Sequence, residues 1–155
     1  MVRSVFLMLS GPSGVGKTTL ARRLLAENPN LSRVVTCTTR TPRESETDGV
    51  VYHFLDEVEF KRRVETEKFL EHAEVYGKRY GTLRYDVLRL LGSGGDVLLV
   101  NDVQGAVAVH ALAATDERLG QALVSVYIVT GTVDELRVRL ERRGQDGSEV
   151  IAERL

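Results

Sequence analysis

Gly11-Pro12-Ser13-Gly14-Val15-Gly16-Lys17-Thr18 is the stretch on which the reading of this chain turns. It fits G-x-x-x-x-G-K-[ST], a loop that wraps the phosphates of a nucleoside triphosphate. Glycines at 11, 14 and 16 let the backbone turn where Cβ atoms would clash, so successive N–H groups point inward as an anion nest. A helix after the loop adds the partial positive charge of its N-terminus. Lys17 brings a mobile cation to the β- and γ-phosphates, and the Thr18 hydroxyl can ligate Mg²⁺.

The flanks supply the context this motif needs. Val5-Phe6-Leu7-Met8-Leu9 is a short apolar run that suits a buried parallel strand. Leu20 to Ala26 reads as a helix with Leu20, Leu24 and Leu25 on one face and Arg22 and Arg23 on the other. The order is strand, glycine loop, helix, which an ordinary glycine-rich turn would not require.

Length and composition bound the rest. The 155 residues suit one domain, and 43% hydrophobic with 28% charged residues is ordinary for a soluble globular chain. A net charge of −1 argues against broad nucleic-acid binding. Cys37 is the sole cysteine, so no intrachain disulfide forms and a reducing compartment is expected. No apolar run approaches the ~20 residues that span a bilayer. The apolar start at Val5 is short and runs directly into the phosphate loop, so no signal peptide is expected. A cytoplasmic protein with no membrane or nucleic-acid partner is the expectation, with the oligomeric state left open.

Strands and helices alternate along the chain, which predicts an α/β fold with a mainly parallel central sheet. The first strand and helix cover about Ser4 to Glu27, and Asn28-Pro29-Asn30 ends that helix. Val34 to Thr39 is β-rich, a polar loop runs from Arg40 to Gly49, and Val50 to Leu55 is another short strand. Asp56 with Glu59 has capping-box spacing and opens a helix to about Lys68. Phe69 to Val75 alternates as a half-buried strand does, Tyr76 to Arg79 is a turn, and Tyr80-Gly81-Thr82 returns. This block of short, mostly antiparallel strands reads as a movable insertion. A helix over about 84–91, a buried strand at Val97–Val100, a helix over about 104–114 and a third buried strand at Val124–Val129 resume the frame. Thr132 with Glu135 forms a second capping box, with Val133, Leu136 and Leu140 on one face of the helix that follows. Residues 142–147 break that helix, and Ser148 opens another.

A phosphate loop alone names a ligand, not a reaction. Arg40 and Arg43 share a loop and can converge on a second phosphate, where a planar guanidinium donates bidentately. Tyr52 and Tyr80 can add hydroxyl donors. Glu71 is placed on one strand face with Phe69, where a carboxylate can accept two N–H bonds from a base edge such as guanine's. Each of these residues alone more often serves a solvated surface or a packed core.

Taken together, the chain resembles the guanylate kinase family of P-loop enzymes. The resemblance rests on Ser10 to Thr19, on Thr38-Thr39-Arg40-Thr41-Pro42-Arg43 with Asp48-Gly49-Val50-Val51-Tyr52-His53-Phe54, and on Phe69-Leu70-Glu71 with Tyr80-Gly81-Thr82. Asp102-Val103-Gln104-Gly105 and Arg139 to Gly144 complete it. The match implies a three-layer P-loop kinase fold with core 1–33 and 85–141, a mixed-sheet GMP-binding insertion at 34–84 and a lid at about 142–155. It implies transfer of the γ-phosphoryl of ATP to GMP with Mg²⁺. ATP would be held by Gly11, Ser13, Gly14, Val15, Gly16, Lys17, Thr18, Thr19, Arg139 and Arg143. Arg40, Arg43, Tyr52 and Tyr80 would hold the GMP phosphate, and Thr36, Glu71, Thr82 and Asp102 would read guanine. Lys17, Arg40, Arg139 and Arg154 would be catalytic. Thr18 would ligate Mg²⁺, with Asp102 reaching it through water.

Three features depart from the family pattern. Val100 stands where an acid usually precedes the aspartate by two residues, Thr36 and Cys37 replace serines, and the strand and helix that usually end the fold are expected to be absent. Two other readings remain on the sequence alone. One is a catalytically inactive guanylate-kinase-like binding module, against which Lys17, Thr18 and Arg40 argue. The other is a P-loop kinase of a ribose phosphate, against which Glu71 and the Thr-Thr-Arg-x-Pro-Arg element argue.

Overall fold

Two four-stranded sheets organise the chain, one all parallel and one mixed. The computed structural model describes residues 4–44, 46–144 and 147–155, with the backbone alone for Glu153. Ser45 of the polar loop and the 145–146 part of the expected helix break lie outside the described residues.

In chain order the elements are β1 (Phe6–Ser10), α1 (Lys17–Glu27), β2 (Leu31–Arg33), β3 (Thr36–Thr38), β4 (Tyr52–Phe54), α2 (Glu57–Glu65), β5 (Phe69–Val75) and β6 (Lys78–Leu83). They continue with α3 (Arg84–Gly92), β7 (Asp96–Val100), α4 (Val103–Ala113), α5 (Glu117–Ala122), β8 (Leu123–Tyr127), α6 (Val133–Arg143) and α7 (Ser148–Glu153). The parallel sheet has the order β2-β7-β1-β8, and the mixed sheet the order β4-β3-β6-β5.

The continuous apolar runs at β1 and β7 arise because both faces of the central strands are covered. Leu9 and Leu98 on one face pack with Ala21 of α1. Phe6, Met8, Val97 and Leu99 on the other pack with Val87 of α3, Ala106 and Val109 of α4 and Leu119 of α5. This is the expected three-layer arrangement. The residue that seats α1 is Ala21, fully buried, whereas Leu20 is exposed. A small residue there lets the helix lie close to the sheet.

β8 departs from its expected burial. Val124, Val126 and Tyr127 are 47%, 39% and 56% exposed, because β8 is the edge strand and pairs with β1 alone. An edge strand and a central strand of a parallel sheet carry the same apolar run, so sequence does not separate them.

The mixed sheet is antiparallel at β3–β6 and β5–β6, but β4 runs parallel to β3. The Asp56 carboxylate caps α2 by accepting from the Glu59 N–H at 2.7 Å. At α6 the Thr132 hydroxyl accepts from the Glu135 N–H, while the Glu135 carboxylate reaches back to the Gly131 N–H, one residue beyond the box geometry. Leu136 and Leu140 of α6, in the expected core, bury in one cluster with Val15 of the glycine loop and Ile151 of the expected lid segment, with Val133 left exposed.

Candidate active site

The glycine loop has the backbone its sequence demands. Gly11, Gly14 and Gly16 have φ of 144°, 85° and 106°. A Cβ on Gly11 would meet the Ile128 carbonyl at 2.3 Å, and one on Gly14 would meet Leu140 Cδ2 at 2.6 Å. Gly11 and Gly14 are therefore fixed by conformation and by close approach together, and Gly16 by conformation. α1 starts at Lys17 directly after the loop, with Gly16 as its N-cap and no side-chain cap, so its N–H groups remain directed at the loop. The Lys17 ammonium folds back to donate to the Gly11 and Pro12 carbonyls at 2.6 and 2.8 Å. Burial lowers its pKa to about 8, against the opposing charge of Asp102, and Arg143 lowers it further. Desolvation of a cation is reversed by a polyanion, so this lysine is poised to gain from one. Thr18 and Thr19 are exposed in the first turn of α1.

The arginines expected from the lid reach the same loop. Arg139 donates to the Val15 carbonyl at 3.3 Å and pairs with Glu135 at 3.1 Å. Arg154 donates to the Ser13 hydroxyl at 3.1 Å. Arg143 lies close enough to Lys17 for its charge to be felt there.

Register places the second group of residues. Thr36 pairs with Tyr52, Thr38 with both Phe54 and Tyr80, Ala73 with Tyr80, and Glu71 with Thr82. Side chains opposite each other share a face and alternate along each strand. Thr36, Tyr52, Glu71, Tyr80 and Thr82 therefore line one face of the mixed sheet. Arg40 lies over this face, its guanidinium carbon 5.4 Å from the Tyr52 ring centroid and 5.8 Å from that of Phe54. The ring centroids of Tyr52 and Tyr80 are 6.1 Å apart.

Glu46 is the residue that sequence reasoning missed. Its carboxylate accepts two bonds from Arg40 at 2.8 and 2.9 Å, and Arg43 Nη1 lies 3.7 Å away. An acid three residues after Arg43 was the available signal. Burial opposes ionisation of Glu46, but the Arg43 N–H and the Arg40 guanidinium outweigh it and hold its pKa below the usual carboxylate range. Glu46 thereby fixes both arginines on one spot.

Glu71 does not share a face with Phe69, as alternation had suggested. A bulge between Phe69 and Glu71 shifts the register by one residue. Phe69 turns to the opposite face, 4.7 Å from Phe60 and 6.1 Å from His72 between ring centroids. Cys37 is on that far face too, in the Phe60 cluster, with Arg63 Nη1 3.7 Å from its sulfur and burial raising its pKa to about 11. Glu71 is buried against α4, where a Cβ on Gly105 would lie 2.9 Å from its Oε2. Its other oxygen accepts from the Thr82 hydroxyl at 2.5 Å. Burial raises its pKa to about 7, against the Thr82 bond, with Asp102 adding to the rise.

Asp102 joins the two groups. Its carboxylate caps α4 by accepting from the Gly105 N–H at 2.9 Å, and its charge acts on both Lys17 and Glu71. Among the described residues no three His, Cys, Asp or Glu side chains gather to hold a metal. Mg²⁺ keeps most of its ligands as water and substrate phosphate, so one exposed hydroxyl with one nearby carboxylate suits it. Thr18 offers an exposed hydroxyl beside Lys17, and Asp102 is a carboxylate whose charge acts on Lys17.

A parallel three-layer sheet with a glycine loop after its first strand defines a P-loop kinase fold. A family model described as guanylate kinase matches residues 3–155. The guanylate kinases of Maricaulis maris and Sphingopyxis alaskensis are 44% and 45% identical over 153 residues, which is 99% of this chain and 67% of each relative. The crystal structure of guanylate kinase from Anaplasma phagocytophilum matches with a TM-score of 0.75 at 34% identity, over 93% of this chain and 69% of that one. The chain belongs to the guanylate kinase family. It spans about two thirds of the length of the curated relatives it matches. Among the described residues no helix is long and apolar enough to cross a membrane.

Proposed function

We propose that the protein transfers the γ-phosphoryl group of ATP to GMP, and to dGMP through the same pocket. One observation carries this reading. The buried carboxylate of Glu71 lies against Gly105, whose N–H donates to Asp102 at 2.9 Å, and the charge of Asp102 also acts on the phosphate-loop cation Lys17. A base-reading group and a triphosphate-holding group are thus gathered around one helix start.

The glycine loop amides, Lys17, Thr18 and Thr19 bind the ATP phosphates, with Arg139 and Arg143 closing over them. Arg40 and Arg43, oriented by Glu46, bind the GMP phosphate with the Tyr52 and Tyr80 hydroxyls. Ionised Glu71 accepts two N–H bonds from guanine, supported by Thr36, Thr82 and Asp102. Adenine lacks that donor pair and would leave the carboxylate buried and unpaired, which is the expensive error. Thr18, and Asp102 through water, would hold Mg²⁺, which when bound neutralises charge on the transferring phosphates. Arg40 and Arg154 brace the phosphoryl group from opposite ends. No covalent intermediate is needed, since phosphoryl transfer is mostly alignment and charge neutralisation. Residues 34–84 act as the GMP-binding insertion and about 142–155 as the lid. The single buried cysteine suits the reducing cytoplasm, and phosphorylation of GMP places the protein in purine nucleotide metabolism.

A coupled ADP-release assay with GMP, dGMP, AMP and ribose bisphosphate as acceptors tests the reading. Turnover with GMP and dGMP, little with AMP or the sugar phosphate, and a loss of at least 100-fold in Lys17→Ala is expected. No ADP release with any acceptor, or equal use of AMP, would reject it.

A further inference from the structure

The turn between β5 and β6 holds a residue that its backbone does not favour. Val75 and Lys78 are the last pair of the hairpin, so Tyr76-Gly77 is a two-residue loop. Both have positive φ, 51° and 65°. Such loops favour Asn-Gly or Gly-Gly, because a side chain at the first position crowds the following carbonyl. Tyrosine is therefore an unfavourable choice. Its ring is 46% exposed, so core packing does not account for it either.

What the ring does touch is Arg154. The guanidinium carbon of Arg154 lies 5.4 Å from the Tyr76 ring centroid, within range of an attractive cation–π contact. The same guanidinium donates through Nη1 to the Ser13 hydroxyl in the glycine loop. The hairpin tip, the end of α7 and the phosphate loop thus meet at one side chain. Further along the same hairpin, β5 and β6 carry Glu71, Tyr80 and Thr82.

We propose that Tyr76 is a positioning residue for Arg154: its ring holds the guanidinium over Ser13, and the strained turn is kept because only an aromatic ring at that tip reaches across. This rests on the phosphoryl-transfer reading for its catalytic meaning, but the contact stands apart from it. Arg154 carries five donors on a flexible stem, and a cation–π contact uses the planar face of the guanidinium without competing for its N–H groups. Tying it to the strand pair that carries Glu71 makes its placement depend on the base-reading sheet.

Tyr76→Asn, Tyr76→Phe and Arg154→Ala, with the Asn/Ala double variant, test this. Asn suits the turn, so Tyr76→Asn is expected to keep or raise Tm. Its kcat is expected to fall about tenfold with KM for GMP little changed. Tyr76→Phe retains the ring face and is expected to keep kcat within twofold. In the Arg154→Ala background Tyr76→Asn is expected to lose its effect on kcat. Unchanged kcat in Tyr76→Asn, an equal loss in Tyr76→Phe, or a full effect persisting without Arg154 would overturn the proposal. Tm needs no turnover and is read on the wild type, Tyr76→Asn, Arg154→Ala and the double variant. Non-additive Tm shifts in the double variant support the contact, and additive shifts overturn it. Failure of the wild-type protein to release ADP with GMP would instead count against the reaction, leaving the Tm cycle to decide on the contact.

Discussion

At the scale of single residues, Glu71 carries the clearest conflict between stability and use. Its carboxyl is buried and held near pKa 7 instead of the usual carboxylate range, first by desolvation and then by Asp102. Below the unfolded-chain value both states are protonated and nothing is lost. As pH rises towards 7 the unfolded chain gives up this proton and the folded protein retains it, so stability falls by about 3 kcal/mol by pH 8. Glu71→Gln is therefore expected to raise Tm by several degrees at pH 8 and to leave it unchanged near pH 4. Thermal melts at both pH values check this. If Glu71 reads guanine as proposed, the N–H donors of the base favour its ionised form, and GMP binding is expected to expel the proton. KM for GMP is expected to rise about tenfold per pH unit below 7 in the wild-type protein, and to lose that slope in Glu71→Gln. Glu71 was legible as an acid on a strand with a possible base to read. Its burial was not, because burial here depends on Gly105 being a glycine on a helix more than thirty residues away in the chain. Glu46 was equally hidden, since an acid in a polar loop looks solvated until the loop folds its two arginines onto it.

At the scale of elements, capping was a sound signal and alternation the one that misled. The glycine loop between β1 and α1 was readable because its glycines have no other use, and the caps at Asp56 and Thr132 are where their spacing puts them. The period-2 pattern of β5 failed at the bulge, which moves Phe69 and Glu71 to opposite faces. A bulge is a two-strand property and leaves no mark on one strand's pattern. The exposure of β8 was missed for a similar reason, since edge position belongs to the sheet. Asp102 shows an element-scale role laid over a site role, because it also caps α4. Asn caps as well as Asp, so Asp102→Asn is expected to hold Tm within about 1 °C, while Asp102→Ala loses about 1 kcal/mol and roughly 2–4 °C. Both variants remove a charge that raises the pKa of Glu71, so the pH midpoint for KM of GMP is expected to move below its wild-type value. Equal Tm losses in the two variants would show that the cap contributes nothing.

At the scale of the whole molecule, two cationic sites built by unrelated means sit on different sheets. One is made of main-chain amides, Lys17 and the arginines of α6 and α7. The other is made of Arg40 and Arg43 around Glu46, on the sheet that carries Glu71. Leu70 of β5 packs in the core with Phe6 and Met8 of β1, so the two sheets share their packing. Transfer between two nucleotides demands that two polyanions be brought in line while water is kept out. Tyr76 and Arg154 are the described side chains through which the mixed sheet's hairpin contacts the glycine loop. The most direct test of this arrangement is calorimetric titration with a bisubstrate analogue, guanosine and adenosine joined at their 5′ ends by a chain of phosphates. If the two sites face one cleft, the joined ligand gains from effective concentration and binds at least 100-fold more tightly than ATP or GMP alone. Binding no tighter than that of the better single nucleotide, with GMP still able to bind alongside it, would contradict the account.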